Sequence, residues 1–151
     1  MLLGGGGHDV LVGGAGDDTL QGGTGDDVIN LSEFTQGNIV YRLASSTTDN
    51  TVSFTDGTDV IHNFQLSGTY ADKLLFVDTN EAGLTARDAL EGQDITVDFL
   101  KSGDDFTGFT LISGGETLTV NLRANAYLTG TAATNLQAAI DDSAILSLIH
   151  I

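Results

Sequence analysis

The chain has 151 residues, enough for one domain or for one domain with a short appendage. Its net charge of −16, from 21 acidic and 5 basic side chains, argues against nucleic acid as a partner, because phosphates require Lys and Arg at the protein surface. The sequence has no Cys, which excludes disulfides and thiolate metal sites, and it has no apolar run long enough to span a bilayer.

The first feature along the chain is a repeat of nine residues. Residues 4–30 divide into three units, which begin at Gly4, Gly13 and Gly22. In every unit, positions 1, 2 and 4 are Gly, position 6 is Asp, and position 8 is Leu or Ile. Because fifteen of the fifteen constrained positions match, chance is excluded as the origin of the pattern.

The letters of the repeat predict a turn followed by a strand. Glycine permits positive φ angles and a tight turn whose carbonyls face inward, and the remaining residues suffice only for a short strand. Successive units then wind into a coil in which every second turn stacks on the same side. Leu11, Leu20 and Ile29, at position 8, are predicted to fill a thin interior between two parallel sheets.

Stacked turns of this kind require a cation. They bring Asp carboxylates and turn carbonyls close together, which costs free energy unless a positive charge lies between them. Ca²⁺ fits best, because it accepts roughly six to eight oxygen ligands in a flexible geometry, whereas Mg²⁺ demands a tighter octahedron. Zn²⁺ prefers His or Cys, and His8, His62 and His150 show no ligand spacing. The predicted cofactor is therefore Ca²⁺.

The pattern G-G-x-G-x-D-x-U-x, where U is a large apolar residue, resembles the nonapeptide of the RTX (repeats-in-toxin) calcium-binding β-rolls. The resemblance implies that one turn supplies the carbonyls of positions 2 and 4 with its Asp, and that the turn two units later supplies carbonyls 1 and 3 with its Asp. Carried over, one complete site uses Gly5, Gly7, Asp9, Gly22, Thr24 and Asp27. The second unit offers Gly14, Gly16 and Asp18 without a perfect partner turn. A last site combines Gly23, Gly25 and Asp27 with two acids of the flank, Asp49 and Asp59.

The flank itself resembles the family. Residues 36–41 resemble a degenerate last repeat with Asn38 in place of Asp, and residues 56–64 resemble the D-x-I-x-D-F segment that follows RTX arrays. Residues 72–76 match the subsequent D-K-I-D-L stretch loosely. The alternative interpretation of Asp49 and Asp56 is that they are solvated loop acids.

Residues 92–123 alternate between apolar and polar side chains, as strands do. Turn-forming residues at 102–105 and 113–116 divide them, which predicts an antiparallel meander packed on the end of the coil. Residues 81–91 have the spacing of a short helix that would cap the stack. The predicted fold is therefore all-β, with a parallel β-roll over residues 1–41, a β-rich capping region over 42–130 and a tail over 131–151.

The sequence indicates a module without catalysis. It contains no nucleophile elbow, no H-E-x-x-H and no P-loop, and an acid pair of the glycosidase kind has no positive support. The tail is acidic and then apolar, and it resembles the uncleaved signal that type I secretion systems recognise. A terminal core strand would give the same pattern. The resemblance therefore implies a calcium-dependent module that is exported by the type I secretion apparatus to the outside or the surface of a Gram-negative bacterium.

Two alternatives remain open at this point. Some RTX modules bind polysaccharide beside enzymes such as alginate epimerases, and others terminate surface adhesins. An anionic polymer would need a basic groove, for which the chain offers Arg42, Lys73, Arg87, Lys101 and Arg123. Convergence of several of these side chains on one face would favour the polysaccharide alternative.

Overall fold

A computed structural model describes residues 1–31, 37–46, 52–54, 56–65, 70–78 and 96–124. Its strands are β1 (Leu2–Gly6), β2 (Val10–Val12), β3 (Thr19–Thr24), β4 (Val28–Asn30), β5 (Ile39–Ser46), β6 (Val52–Phe54), β7 (Asp59–Phe64), β8 (Lys73–Asp78), β9 (Thr96–Ser102), β10 (Asp105–Ser113) and β11 (Glu116–Leu122). These ranges contain no α-helix, and none of their elements is a helix that could cross a membrane. The helix predicted over 81–91 and the tail over 131–151 lie outside the described residues.

The strands form two sheets, as the nonapeptide period predicts. Sheet A has the order β1-β3-β5-β6, with β8 also paired to β5, and sheet B has the order β2-β4-β7-β11-β10-β9. Strands of alternate units pair in parallel, so that Leu2 lies opposite Leu20 and Leu11 lies opposite Ile29. The prediction that every second unit stacks on the same side is confirmed.

The interior of the roll is the thin apolar layer that position 8 predicts. Leu11, Leu20 and Ile29 are at most 5% exposed and belong to one continuous apolar cluster. Successive strands of a parallel coil present the same position inward, because side chains alternate between the two faces of a strand. Each unit thereby contributes one side chain to a core that no single unit could build.

The roll continues beyond the Gly-rich repeats. β7 pairs in parallel with β4, with Ile61 opposite Ile29, and β8 pairs in parallel with β5, with Leu74 opposite Val40. These three new core residues are also buried. The flanking segments therefore repeat the turn-and-strand geometry without the Gly-Gly pair.

The predicted antiparallel meander is present as β9, β10 and β11. Gly114 and Gly115 have φ angles of 63° and 84°, the left-handed conformation that a two-residue hairpin turn requires. β11 pairs in parallel with β7 and places Val120 opposite Ile61. The meander thus extends sheet B from β7, the last strand of the roll in this sheet. The alternation of apolar and polar side chains predicts which residues form the strands, but it does not predict which strand of the roll they pair with.

Candidate metal centre

The turns of the three units adopt one conformation. The glycines at positions 2 and 4 all lie between φ 83° and φ 117°, a region that side chains rarely enter; they are Gly5, Gly7, Gly14, Gly16, Gly23 and Gly25. Gly57 has a φ of 104° and occupies position 4 of the turn before β7, counted back from Asp59. The turn before β7 therefore preserves this feature of the repeat.

Stacked turns approach each other through their backbones. A methyl group on Gly23 would overlap the carbonyl oxygen of Gly5, and one on Gly25 would overlap the carbonyl oxygen of Gly7. A methyl group on Gly57 would in turn overlap the carbonyl oxygen of Gly25. The carbonyls of positions 2 and 4 therefore face the turn two units later, and only glycine permits that approach.

The acids of the first turn stack, defined here as the turns that end at Asp9, Asp27 and Asp59, form a ladder. The main-chain N–H of Asp9 donates to Asp27 Oδ1 at 2.8 Å, and the N–H of Asp27 donates to Asp59 Oδ1 at 2.8 Å. The carboxylates of Asp27 and Asp59 are thus oriented by the backbone of the preceding turn, each through one of its two oxygens.

The second turn stack, defined by Asp18, Asn38 and Asp72, has a different chemistry. The N–H of Asp18 donates to Asn38 Oδ1 at 3.2 Å. The main-chain N–H and the side-chain amide of Asn38 both donate to Asp72 Oδ1, at 2.8 and 3.1 Å. Burial raises the pKa of Asp72, although hydrogen bonds from Asn38 and Gln65 and the positive charge of Arg123 act to lower it.

In the Gly-rich units, three carboxylate oxygens are buried without a hydrogen-bond donor. They are Oδ2 of Asp9, Asp18 and Asp27. A buried polar atom without a partner costs about 1–3 kcal/mol, and a charged one costs more. At Asp27, this is the oxygen that the ladder leaves unused.

The surroundings of these oxygens consist of further acceptors. A methyl group on Gly4 would lie 2.8 Å from Asp9 Oδ2 and would overlap the carbonyl oxygen of Gly22, so both oxygens border the same small space. A methyl group on Gly22 would overlap Asp27 Oδ2. Clustered acceptors without a proton donor are the environment that a hard cation requires, and carboxylate and carbonyl oxygens are the ligands that Ca²⁺ prefers. The donor set therefore fits calcium.

Main-chain oxygens are essential to any such site. Among the residues that the structure describes, no three His, Asp or Glu side chains converge on a point that could hold a metal ion. Two carboxylates from stacked turns would need turn carbonyls to complete a calcium shell. This is the mixed ligand set that the resemblance implies.

The comparison with known families agrees with this geometry. Residues 3–33 match the family model of the RTX calcium-binding nonapeptide repeat, in four copies. Residues 3–33 are RTX calcium-binding repeats. This family of repeats binds Ca²⁺, so the match supports a calcium-binding module. No curated protein and no solved structure matches the chain.

The structure brings the predicted ligands of the RTX segment into adjoining turns. The turn of Gly5, Gly7 and Asp9 lies against the turn of Gly22, Thr24 and Asp27, and the N–H of Gly7 donates to the carbonyl of Thr24 at 2.8 Å. Gly14, Gly16 and Asp18 lie in the second stack, where the amide of Asn38 takes the place of the partner acid. Asp59 completes the ladder after Asp27, and Asp49 lies outside the described residues. Their role as ligands remains a prediction.

Two participants in the turn after the RTX segment were not among the predicted ligands. The N–H of Gly25 donates to the carbonyl of Asp56 at 2.8 Å, just as Gly7 donates to Thr24, so Asp56 occupies position 3 of the next turn. Asp56 is 2% exposed and is therefore a buried turn residue rather than a solvated loop acid. The spacing of Asp56 to Gly57 and Asp59 could have revealed this.

The second missed participant is Glu116. Its Oε2 accepts from the N–H of Gly57 at 3.0 Å, so a carboxylate of the meander replaces the carbonyl of a further turn. Glu116 lies 59 residues after Gly57. No local pattern in the sequence indicates this contact.

The basic side chains do not form a groove in the described part of the chain. Arg123 is 2% exposed and donates hydrogen bonds to protein acceptors. Lys73 and Lys101 are exposed, but they lie on β8 of sheet A and on β9 at the far end of sheet B. Arg87 and the side chain of Arg42 lie outside the described residues. The described cations therefore give no support to an anionic polymer as ligand.

Proposed function

We propose that this chain is a calcium-dependent folding module, which stays unfolded without Ca²⁺ and folds when Ca²⁺ is available. The observation that carries the proposal is the set of three buried carboxylate oxygens without donors, on Asp9, Asp18 and Asp27. Without a cation, the folded state must bury these charges uncompensated, whereas the unfolded chain exposes them to water. The cost falls on the folded state alone.

The charge of the segment strengthens this effect. Residues 1–31 contain five Asp and no Lys or Arg, so no basic side chain of the segment can neutralise its acids. Bound Ca²⁺ would supply the missing positive charge at the turns. At the affinities of extracellular calcium modules, about 10⁻⁴–10⁻³ M, a tenfold excess of Ca²⁺ adds about 1.4 kcal/mol per site by linkage. Two or three sites would add roughly 3–4 kcal/mol, a large share of the stability of a small domain.

The same linkage suits export in the unfolded state. Where free Ca²⁺ is scarce, as in a bacterial cytosol, the acidic turns disfavour folding and leave the chain able to thread a type I secretion channel. Outside the cell, millimolar Ca²⁺ shifts the equilibrium towards the folded roll. We propose that the module supports type I secretion and extracellular folding of its parent protein in a Gram-negative bacterium.

The test is a calcium titration followed by far-UV circular dichroism, with Mg²⁺ as the control. The proposal expects a cooperative gain of β signal in the millimolar Ca²⁺ range and no gain with Mg²⁺, which prefers a tighter octahedron and retains its waters. A chain that is fully folded in chelator, and whose spectrum and unfolding midpoint do not respond to Ca²⁺, would refute the proposal.

A further inference from the structure

The two turn stacks end in different ways. A step is the contact between one turn and the turn stacked on it. In the first stack, the last step joins two acids, Asp27 and Asp59, and Asp27 keeps a buried oxygen without a donor. In the second stack, the corresponding step joins an amide, Asn38, to an acid, Asp72. Both steps lie between one turn and the turn stacked on it, so they can be compared directly.

Proton donors occupy both oxygens of Asp72. Its Oδ1 accepts from the main-chain N–H and from the side-chain amide of Asn38, at 2.8 and 3.1 Å. Its Oδ2 accepts from the N–H of Gln65 at 2.8 Å. In contrast to Asp9, Asp18 and Asp27, this carboxylate has no buried oxygen without a donor.

The same end of the roll contains its own buried cation. Arg123 donates through its guanidinium to Gln65 Oε1 at 3.1 Å and to the carbonyl of Leu31 at 3.2 Å. Its main-chain N–H donates to the carbonyl of Phe64 at 3.0 Å. The guanidinium is close enough to Asp72 to act on its charge. A fixed guanidinium therefore supplies the positive charge that the Gly-rich turns lack.

The side-chain amide of Asn38 can accept a hydrogen bond from one neighbouring turn and donate one to the other. Its Oδ1 accepts from Asp18 in the way that Asp27 accepts from Asp9, while its Nδ2 donates towards Asp72. An Asp at this position could accept from Asp18, but it could not donate to Asp72 and would place two carboxylates side by side. The amide thus preserves the ladder on one side and removes the need for a cation on the other.

We propose that the step from Asn38 to Asp72 is closed by protein groups and takes no Ca²⁺, whereas the step from Asp27 to Asp59 takes one. This inference rests on the proposed function, because it assumes that the first stack binds calcium. The two turn stacks then differ in the number of steps that bind Ca²⁺. Calcium sites extend one step further in the first stack, and the end next to β8 and Arg123 is held together without metal.

The number of bound calcium ions tests the inference. The full chain and its Asp59→Asn and Asp72→Asn variants would be equilibrated in Ca²⁺ at about ten times the wild-type midpoint. Native mass spectrometry would then count the calcium ions bound to each chain. We expect Asp59→Asn to carry one ion fewer than the wild type and Asp72→Asn to carry the wild-type number. Loss of one ion from folded Asp72→Asn would overturn the inference. A wild-type chain that binds no calcium would instead refute the proposed function.

A second measurement does not depend on whether Asp72→Asn folds. Crystals of the wild-type chain grown with Ca²⁺ would give anomalous difference peaks at the bound ions. We expect a peak between Asp27 and Asp59 and none within coordination distance of Asp72. A peak coordinated by Asp72 would overturn the inference. The reverse change, Asn38→Asp, should raise the ion count by one, because it restores an acid pair at this step.

Discussion

The main-chain N–H of Asp9 donates to Asp27 Oδ1 at 2.8 Å, across 18 residues of sequence. The bond fixes the carboxylate of Asp27 through one oxygen and leaves Oδ2 buried among other acceptors without a donor. Asp27 thus uses one oxygen for register between turns and keeps the other for charge compensation. An Asn at this position could not do both, because its amide offers only one acceptor oxygen.

Asp27→Asn should raise the Ca²⁺ midpoint of folding about tenfold, equivalent to about 1.4 kcal/mol, because an amide –NH₂ replaces a carboxylate oxygen. The same change should stabilise the chain in chelator, since it removes a buried negative charge that no positive charge compensates. Circular dichroism would measure both effects, the first as the midpoint of a Ca²⁺ titration and the second as the β signal that is present in chelator before Ca²⁺ is added. The matched control is Asp17→Asn, which removes the same charge from an exposed position in a neighbouring unit. Equal midpoints for the two variants would exclude Asp27 as a ligand.

Gly23→Ala and Gly5→Ala separate backbone strain from turn stacking. Both glycines have positive φ, 111° and 104°, so Ala should cost about 1 kcal/mol or more at either position. Only at Gly23 would the new methyl overlap a carbonyl oxygen of the adjoining turn, whereas at Gly5 it meets open space. Gly23→Ala should therefore show the larger loss of stability in Ca²⁺ by thermal unfolding. Similar losses would mean that the turns are not packed as closely as the structure indicates.

Arg123→Met should destabilise the calcium-loaded chain by about 1–3 kcal/mol, because it removes the hydrogen bond to Gln65 Oε1 and the donor of the buried carbonyl of Leu31. Lys73→Met is the control, since it removes one positive charge from an exposed side chain and should change stability by about 0.5 kcal/mol or less. Denaturant unfolding in saturating Ca²⁺ gives both values. A loss for Arg123→Met no greater than that for Lys73→Met would contradict a structural role for the guanidinium.

The pH dependence of stability should distinguish Asp72 from Asn at the same position. Burial raises the pKa of Asp72 above its ordinary value of 3.8, so the folded chain binds this proton more tightly than the unfolded chain does. The stability that protonated Asp72 contributes is present below pH 3.8 and is lost as the pH rises through the raised pKa. The stability of the wild type relative to Asp72→Asn should therefore fall across this window and then level off. Denaturant unfolding at a series of pH values would measure the difference, and a wild-type advantage that grows with pH would contradict the prediction.

The sequence predicts the repeat region well because its structure is local. Leu11, Leu20 and Ile29 recur every nine residues, so the period alone places them in the core. The Ca²⁺ chemistry follows from the same period, since it places an Asp at each stacked turn. Where the chain departs from the period, the spacing of Asp56 to Gly57 and Asp59 is a weaker signal, and the structure identifies the turn by its stacking on Gly25.

The remainder depends on contacts between distant parts of the chain. Glu116 reaches Gly57 across 59 residues, and Arg123 reaches Leu31 across 92. Alternating side chains predict the strands of the meander, but partner strands are chosen by packing that a single sequence does not display. The parallel pairing of β11 with β7 was therefore not predicted.

The central claim is that the turn ladder forms only when the charges of its acids are compensated. Residue-resolved amide hydrogen exchange tests it most directly, at the N–H groups of Asp9 and Asp27, which donate to the ladder carboxylates. We expect both amides to exchange rapidly in chelator and with Mg²⁺, and to become protected in millimolar Ca²⁺. Protection of both amides in chelator, unchanged by Ca²⁺, would contradict the account.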